Sequence, residues 1–114
     1  MSFQVPKDIQ EKLGRFEQLK AQLQAIMGQR SEMEAKVREL EEAASALAGD
    51  GKEAVYRRIG DLMFKVDNRD ALRKELEESR ETLSVRLSSM LKQETNLKEM
   101  YEKLGTEINE AIKG

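Results

Sequence analysis

The stretch VYRRIGDLMFKV, residues 55–66, decides the fold of this chain, and it lies near the middle of the 114 residues. Two short runs rich in β-branched, aromatic and other apolar residues flank Gly60 and Asp61, and such runs favour strands. Two strands joined by a Gly-Asp pair indicate a tight β-hairpin, because glycine adopts the positive φ that a type II′ turn requires. The predicted hairpin covers residues 54–66.

This hairpin is not expected to be stable by itself. An isolated two-stranded hairpin is marginal in water, and its two open edges invite pairing with other chains. In the second strand Leu62, Phe64 and Val66 alternate with Met63 and Lys65, so neither face is clearly polar. The sequence therefore predicts that the hairpin pairs with hairpins of other subunits, which makes the chain an obligate oligomer.

A seven-residue repeat before the hairpin predicts a long helix over residues 6–48. Its two columns are Ile9, Phe16, Leu23, Arg30, Val37 and Ala44, and Leu19, Ile26, Met33, Leu40 and Leu47. Apolar positions that alternate by four and three specify a coiled-coil seam. Pro6 suits the first helical position, and Gly49 and Gly51 are suited to end the helix.

A second repeat predicts another long helix over residues 68–112, with Asp67 or Asn68 as its N-cap. Its columns are Leu76, Leu83, Met90, Leu97, Leu104 and Ala111, and Arg80, Leu87, Glu94, Tyr101 and Ile108. We expect the two helices to pack antiparallel. Polar residues in a seam commonly fix its register. Arg30, Arg80 and Glu94 are therefore interpreted as register-setting or snorkelling residues and not as catalytic ones.

The amino-acid composition argues against several classes of function. The chain is 39% hydrophobic and 37% charged with net charge −2, which suits a narrow seam better than a broad core. There is no basic stripe for nucleic acid, and Arg57 and Arg58 are interpreted as a solvated strand edge. The absence of His and Cys removes the commonest zinc ligands and the commonest general base. We expect no enzyme activity and no cofactor. No apolar run approaches the roughly 20 residues that span a membrane, which favours a cytoplasmic protein.

Apolar residues near the two chain ends exceed what one seam can bury. They are Phe3, Val5, Ile9, Leu13 and Phe16 in the first helix region, and Tyr101, Leu104, Ile108 and Ile112 in the second. Leu13, Met100 and Ile112 fall outside the heptad columns. Each could simply finish the seam, but as a group the surplus favours an interaction surface at the end opposite the hairpin.

The order of helix, this hairpin sequence and helix resembles the beta subunits of archaeal prefoldin over the whole chain. The hairpin carries most of that resemblance, since heptads alone are common. About 20 residues separate the two predicted helices, which leaves room for only one hairpin. The alpha type carries two hairpins between its helices, so the resemblance is to the beta type. A eukaryotic beta-class subunit is the alternative, and the short chain ends favour the archaeal type.

The resemblance implies an ATP-independent chaperone, a hexamer of two alpha and four beta subunits. Its hairpins would form an inter-subunit β-barrel, and its coiled-coil tips would capture non-native proteins for delivery to a group II chaperonin. The residues matched to assembly are Val55, Tyr56, Ile59, Gly60, Leu62, Met63, Phe64 and Val66. Those matched by region to client binding are Val5, Ile9, Leu13, Phe16, Leu104, Ile108 and Ile112. The alternative is an oligomeric coiled-coil scaffold that binds no clients.

Overall fold

In this computed structural model, residues 5–49 and 51–113 are described. Helix α1 extends over Lys7–Leu47, directly after Pro6, whose carbonyl accepts the Gln10 N–H at 3.0 Å. Asp8 lies in the first turn, where a carboxylate interacts favourably with the helix dipole. The predicted helix over residues 6–48 is therefore one residue longer than the observed one at each end.

The end of α1 is a short turn, in which the Ala48 N–H donates to the Ser45 carbonyl at 3.2 Å. Gly51 follows with a φ of +77°, a conformation that glycine adopts without steric cost. Asp50, which lies between the two glycines predicted to end the helix, lies outside the described residues.

The hairpin consists of β1, Tyr56–Ile59, and β2, Leu62–Lys65, which pair antiparallel. Its connection is the two-residue turn at Gly60, whose φ of +61° makes it the left-handed residue of the turn. This agrees with the type II′ prediction, in which only the first central residue has a positive φ. One further bond, from the Val66 N–H to the Val55 carbonyl at 2.8 Å, extends the pairing beyond the strands.

Helix α2 extends over Arg69–Lys113. Of the two N-cap candidates, Asn68 is the one that caps it, because its Oδ1 accepts the Ala71 N–H at 3.0 Å. Asp70 lies in the first turn and Lys113 in the last, which places both charges favourably for the helix dipole. The predicted class, two long antiparallel helices with one central β-hairpin, is confirmed.

The chain divides into two compact units. The terminal unit comprises the residues up to Ser31 together with those from Ser88 onward. Its core contains Leu19, Leu104 and Ile108, each at most 8% exposed. Phe16, Leu97 and Tyr101 pack against this core. Phe16 of α1 stacks on Tyr101 of α2, whereas Arg30, later in α1, bonds to Glu94, earlier in α2, as expected for an antiparallel pair.

The hairpin unit comprises Glu32–Leu87. Its helices also run antiparallel. Arg69, at the start of α2, contacts the carbonyls of Ala46 and Leu47 at the end of α1, whereas Arg80, further along α2, lies 3.6 Å from the earlier residue Glu41. Val37 and Leu47 are its buried apolar residues among those described. Arg80 belongs to a predicted seam column, but its guanidinium extends to a half-exposed carboxylate, as a snorkelling arginine does.

The remaining polar seam residues pair with each other within the terminal unit. The Arg30 Nε donates to the Glu94 Oε1 at 2.9 Å, and both side chains are less than a quarter exposed. Removing either partner of a partly buried ion pair destabilises the fold, because the other charge would remain desolvated and unpaired. Register setting is therefore the role that best fits Arg30 and Glu94.

Candidate binding surfaces

One face of the β-hairpin carries three exposed apolar side chains and one arginine. The strand register places Ile59 opposite Leu62 and Arg57 opposite Phe64, so these four side chains share a face. Ile59 is 58% exposed, Leu62 63% and Phe64 49%. We call Ile59, Leu62 and Phe64 the apolar hairpin face. Three large apolar side chains in such exposure favour burial against another chain.

The opposite face of the hairpin combines apolar and basic residues. Tyr56 lies opposite Lys65, and Arg58 lies opposite Met63. Tyr56 and Met63 are both more than half exposed. The remaining predicted assembly residues are placed at the hairpin ends and turn: Val55 and Val66 are half-buried, and Gly60 forms the turn.

A bidentate ion pair connects the hairpin to α2. The Arg57 guanidinium donates to both oxygens of the Glu75 carboxylate, at 3.0 and 3.2 Å. The hydrogen bond and the charge of Arg57 together lower the pKa of Glu75 below its ordinary value. Arg58 instead donates from its Nε to the Gly60 carbonyl at 3.0 Å. The interpretation of both arginines as a solvated strand edge missed these partners.

Arg69 holds the segment between α1 and the hairpin. Its Nη1 donates to the Glu53 carbonyl at 2.8 Å, and its Nη2 lies 3.5 Å from the carbonyls of Ala46 and Leu47. Carbonyls in the last turn of a helix have no partner within the helix, so a guanidinium there is stabilising. Sequence reasoning missed Arg69, and no spacing rule would have found it.

The predicted client-binding residues of the terminal unit fall into three groups. Ile9, Leu104 and Ile108 are buried at 7–9% exposure, so in this chain their side chains belong to the packing between helices. Val5 and Phe16 are half-buried. Leu13 and Ile112 are exposed, at 39% and 66%. Phe3 lies outside the described residues.

Met100 belongs with the exposed group, since 48% of it is accessible to solvent. Leu13, Met100 and Ile112 are the three residues that the heptad columns leave outside the seam. All three are exposed, so a binding partner could reach them without opening the helix pair.

Gly105 supports an aromatic contact that the sequence reasoning did not identify. The Phe16 and Tyr101 rings stack with centroids 4.3 Å apart and planes 13° apart. A Cβ placed on Gly105 would lie 3.2 Å from the Phe16 ring, so glycine leaves room for that ring. The sequence did not single out Gly105, because Gly14 and Gly28 also interrupt a helical repeat and have open space around them.

A shallow groove of about 260 Å³ lies between α1 and α2 in the terminal unit. We call it the terminal groove, and it is lined by Arg15, Leu19, Met100, Lys103, Leu104 and Glu107. Leu19 and Leu104 are its buried members, whereas Met100 is half exposed. The four residues from α2 follow helical spacings of three, four and seven, so they form one ridge along the groove.

Two kinds of site have no candidates in the described part of the chain. No group of three or more Asp and Glu side chains among residues 5–49 and 51–113 could hold a metal ion. Neither of the two helices described has a stretch apolar enough to cross a membrane.

The comparison with known proteins explains the combination of a hairpin and two long helices. The sequence matches the Prefoldin subunit family over residues 10–114. The chain belongs to the prefoldin family. Members of this family are chaperone subunits, and the resemblance predicted from the hairpin sequence is confirmed.

Prefoldin beta subunits of archaea are among the relatives of this chain. The one from Pyrobaculum islandicum is 34% identical over 110 residues, covering 96% of this chain and 87% of the relative. The one from Methanococcoides burtonii is 34% identical over 113 residues, covering 98% and 96%. The crystal structure of the prefoldin beta subunit from Thermococcus strain KS-1 superposes with a TM-score of 0.83 at 29% identity, covering 97% of both chains. The beta2 subunit from the same strain gives 0.70 at 27% identity, covering 80% of this chain and 97% of that one.

Proposed function

We propose that the chain is a beta-type subunit of an ATP-independent prefoldin holdase that acts in the cytoplasm. The observation that carries this proposal is the apolar hairpin face, which exposes Ile59, Leu62 and Phe64 in a chain of this family. A surface of this kind needs a partner chain. Oligomers assembled through it would hold several copies of the terminal unit together, which suits a protein that grips large, irregular clients.

Assembly occurs through the hairpins, which combine into an inter-subunit β-barrel in a hexamer with two alpha subunits and four beta subunits. Closing the hairpin edges into a barrel removes the unpaired backbone groups that an isolated hairpin leaves open. It also buries the apolar hairpin face at about 25 cal/mol per Å² of apolar surface. Met63 and Tyr56, on the other face, take part in the same assembly.

Client capture takes place at the terminal units through exposed apolar side chains, and the clients then pass to a group II chaperonin. Leu13, Met100 and Ile112 are available for direct contact. The predicted residues that are buried here, Ile9, Leu104 and Ile108, contribute by holding the two helices together. Several weak contacts on separate subunits add through effective concentration, so no single terminal unit has to bind strongly.

The experiment that tests client capture compares a triple variant with a double control variant, each in the assembled hexamer. Leu13→Ser, Met100→Ser and Ile112→Ser together remove the exposed apolar groups of the terminal unit. Val85→Ser with Leu91→Ser is the matched control, because these residues are 67% and 41% exposed and lie outside the predicted client-binding set. Suppression of aggregation of a heat-unfolded client is measured without ATP.

The triple variant should assemble normally and lose most of its suppression, whereas the control should keep it. If the triple variant suppresses aggregation as well as the unmodified protein, client binding at these residues is wrong. If the unmodified hexamer suppresses nothing, the alternative function holds, and the chain is an oligomeric coiled-coil scaffold.

A further inference from the structure

The terminal groove differs in charge from the chain as a whole. The complete chain carries a formal net charge of −2, whereas the groove lining contains two cations, Arg15 and Lys103, and one carboxylate, Glu107. The two cations come from different helices. Neither forms an ion pair within the part of the chain that the structure describes. A local positive charge beside an apolar floor selects partners by charge as well as by hydrophobicity.

The size of the groove indicates what it can hold. Its volume of about 260 Å³ lies just below the range of small-molecule pockets, which starts at roughly 300 Å³. It is partly open to solvent, so the main chain of a bound segment can remain outside while a side chain enters. Met100 is the exposed apolar residue of the lining, and a flexible thioether adapts to side chains of different shape.

We propose that the terminal groove binds extended segments of non-native proteins in which a large apolar residue is next to carboxylates. The apolar side chain contacts Leu19, Met100 and Leu104, and the carboxylates lie between Arg15 and Lys103. This inference rests on the proposed function, since it names the class of client segment that the terminal unit prefers. Glu107 disfavours a second carboxylate at its end of the groove, which gives the bound segment a direction.

The test uses the full chain assembled with an archaeal prefoldin alpha subunit, and two fluorescein-labelled peptides. The acidic peptide is GSGLFDEGSG, and its uncharged isostere is GSGLFNQGSG. Binding is measured by fluorescence anisotropy at low and at high salt. With two exposed charge pairs between the peptide carboxylates and the groove cations, we expect the acidic peptide to bind about fivefold more tightly than the uncharged one at low salt. This preference should disappear at 0.5 M salt, because exposed charges are then screened.

Two charge-reversal variants test whether the groove cations cause the preference for the acidic peptide. Arg15→Glu with Lys103→Glu should reverse it, so that the uncharged peptide binds more tightly. Lys20→Glu with Lys98→Glu is the matched control. It changes the net charge by the same amount, on the same two helices, at exposed positions outside the groove lining. The control should retain at least half of the preference. Suppression of client aggregation is measured in parallel for each protein.

The outcomes separate this inference from the proposed function. If both peptides bind equally while client aggregation is suppressed, the charge preference is wrong and the holdase function stands. The inference is also overturned if both variants lose the preference alike, because the effect then reflects overall charge. A change in native mass in the groove variant alone would identify the groove as a contact between subunits, which contradicts client binding there. Failure of the unmodified protein to suppress aggregation would remove the proposed function itself.

Discussion

The hairpin and the terminal unit use the same kinds of apolar residue in opposite ways. In the terminal unit Leu104 and Ile108 are 7% exposed, since a second helix of the same chain covers them. In the hairpin Leu62 and Ile59 are 63% and 58% exposed. The buried stripe between the helices is thus covered within one chain, whereas the hairpin side chains stay exposed and need another chain to cover them.

Because of this difference, the terminal unit mainly determines the stability of the chain, and the hairpin mainly determines its assembly. A helix stripe has one apolar side, and one antiparallel partner is enough to cover most of it. A two-stranded sheet has two faces and two edges, and a single chain with one hairpin cannot cover all four. We therefore expect substitutions in the terminal unit to change unfolding, and substitutions in the hairpin to change native mass.

The largest effect is expected for Phe64→Asp. This change places a carboxylate on the apolar hairpin face, where assembly would bury it. Arg57 lies opposite on the same face but is already paired with Glu75, so burying the added charge should cost several kcal/mol. Sedimentation should show loss of the oligomer, while circular dichroism should show that the helices remain. Phe64→Leu, which preserves the apolar surface, should keep the full assembly. An oligomer that persists with Phe64→Asp would contradict the role of this face.

A smaller effect is expected for Leu104→Ala. The substitution removes packing from the core around Leu19 and Ile108, and it should lower the free energy of unfolding by about 2–3 kcal/mol. Urea unfolding measures this loss. Val85→Ala is the control, since at 67% exposure it should change stability by less than about 0.5 kcal/mol. Native mass should not change for either variant, and dissociation of Leu104→Ala would show that the two regions are not separable.

The local features of this fold could be predicted from the sequence. Pro6 before α1, Asn68 before α2 and Gly60 in the turn each act through their immediate neighbours, so their positions alone are informative. The heptad columns also identified Leu104 and Ile108 as seam residues. The structure places both in the core, and their assignment to client binding stays a prediction.

Contacts between distant residues could not be predicted. Arg57 and Glu75 are 18 positions apart, and Arg69 bonds to Glu53 across the hairpin. These pairs depend on the path of the connecting segments, which no periodicity specifies. The terminal groove was missed for a related reason, because Arg15 and Lys103 come together only through the register of the two helices.

Two helical glycines provide a finer test of the terminal unit. Gly14 has open space around it, so Gly14→Ala should raise stability by about 0.5–1 kcal/mol through helix propensity. Gly105→Ala makes the same chemical change 3.2 Å from the Phe16 ring, which stacking on Tyr101 holds in place. Thermal unfolding should therefore show a higher midpoint for Gly14→Ala and no gain, or a loss, for Gly105→Ala. Equal gains would mean that the Phe16 ring moves aside freely.

The smallest effect concerns the ion pair between the hairpin and α2. Arg57 lowers the pKa of Glu75 below the ordinary value of 4.5, so the carboxylate is favoured in the folded state. Its contribution is present above pH 4.5 and is lost as the pH falls through the lowered pKa. NMR titration of the Glu75 carboxyl should show that Arg57→Gln raises this pKa toward 4.5. Arg58→Gln should not change it, because the Arg58 Nε donates to a backbone carbonyl. Equal shifts in the two variants would show that Glu75 senses the total charge of the hairpin and not one bidentate partner.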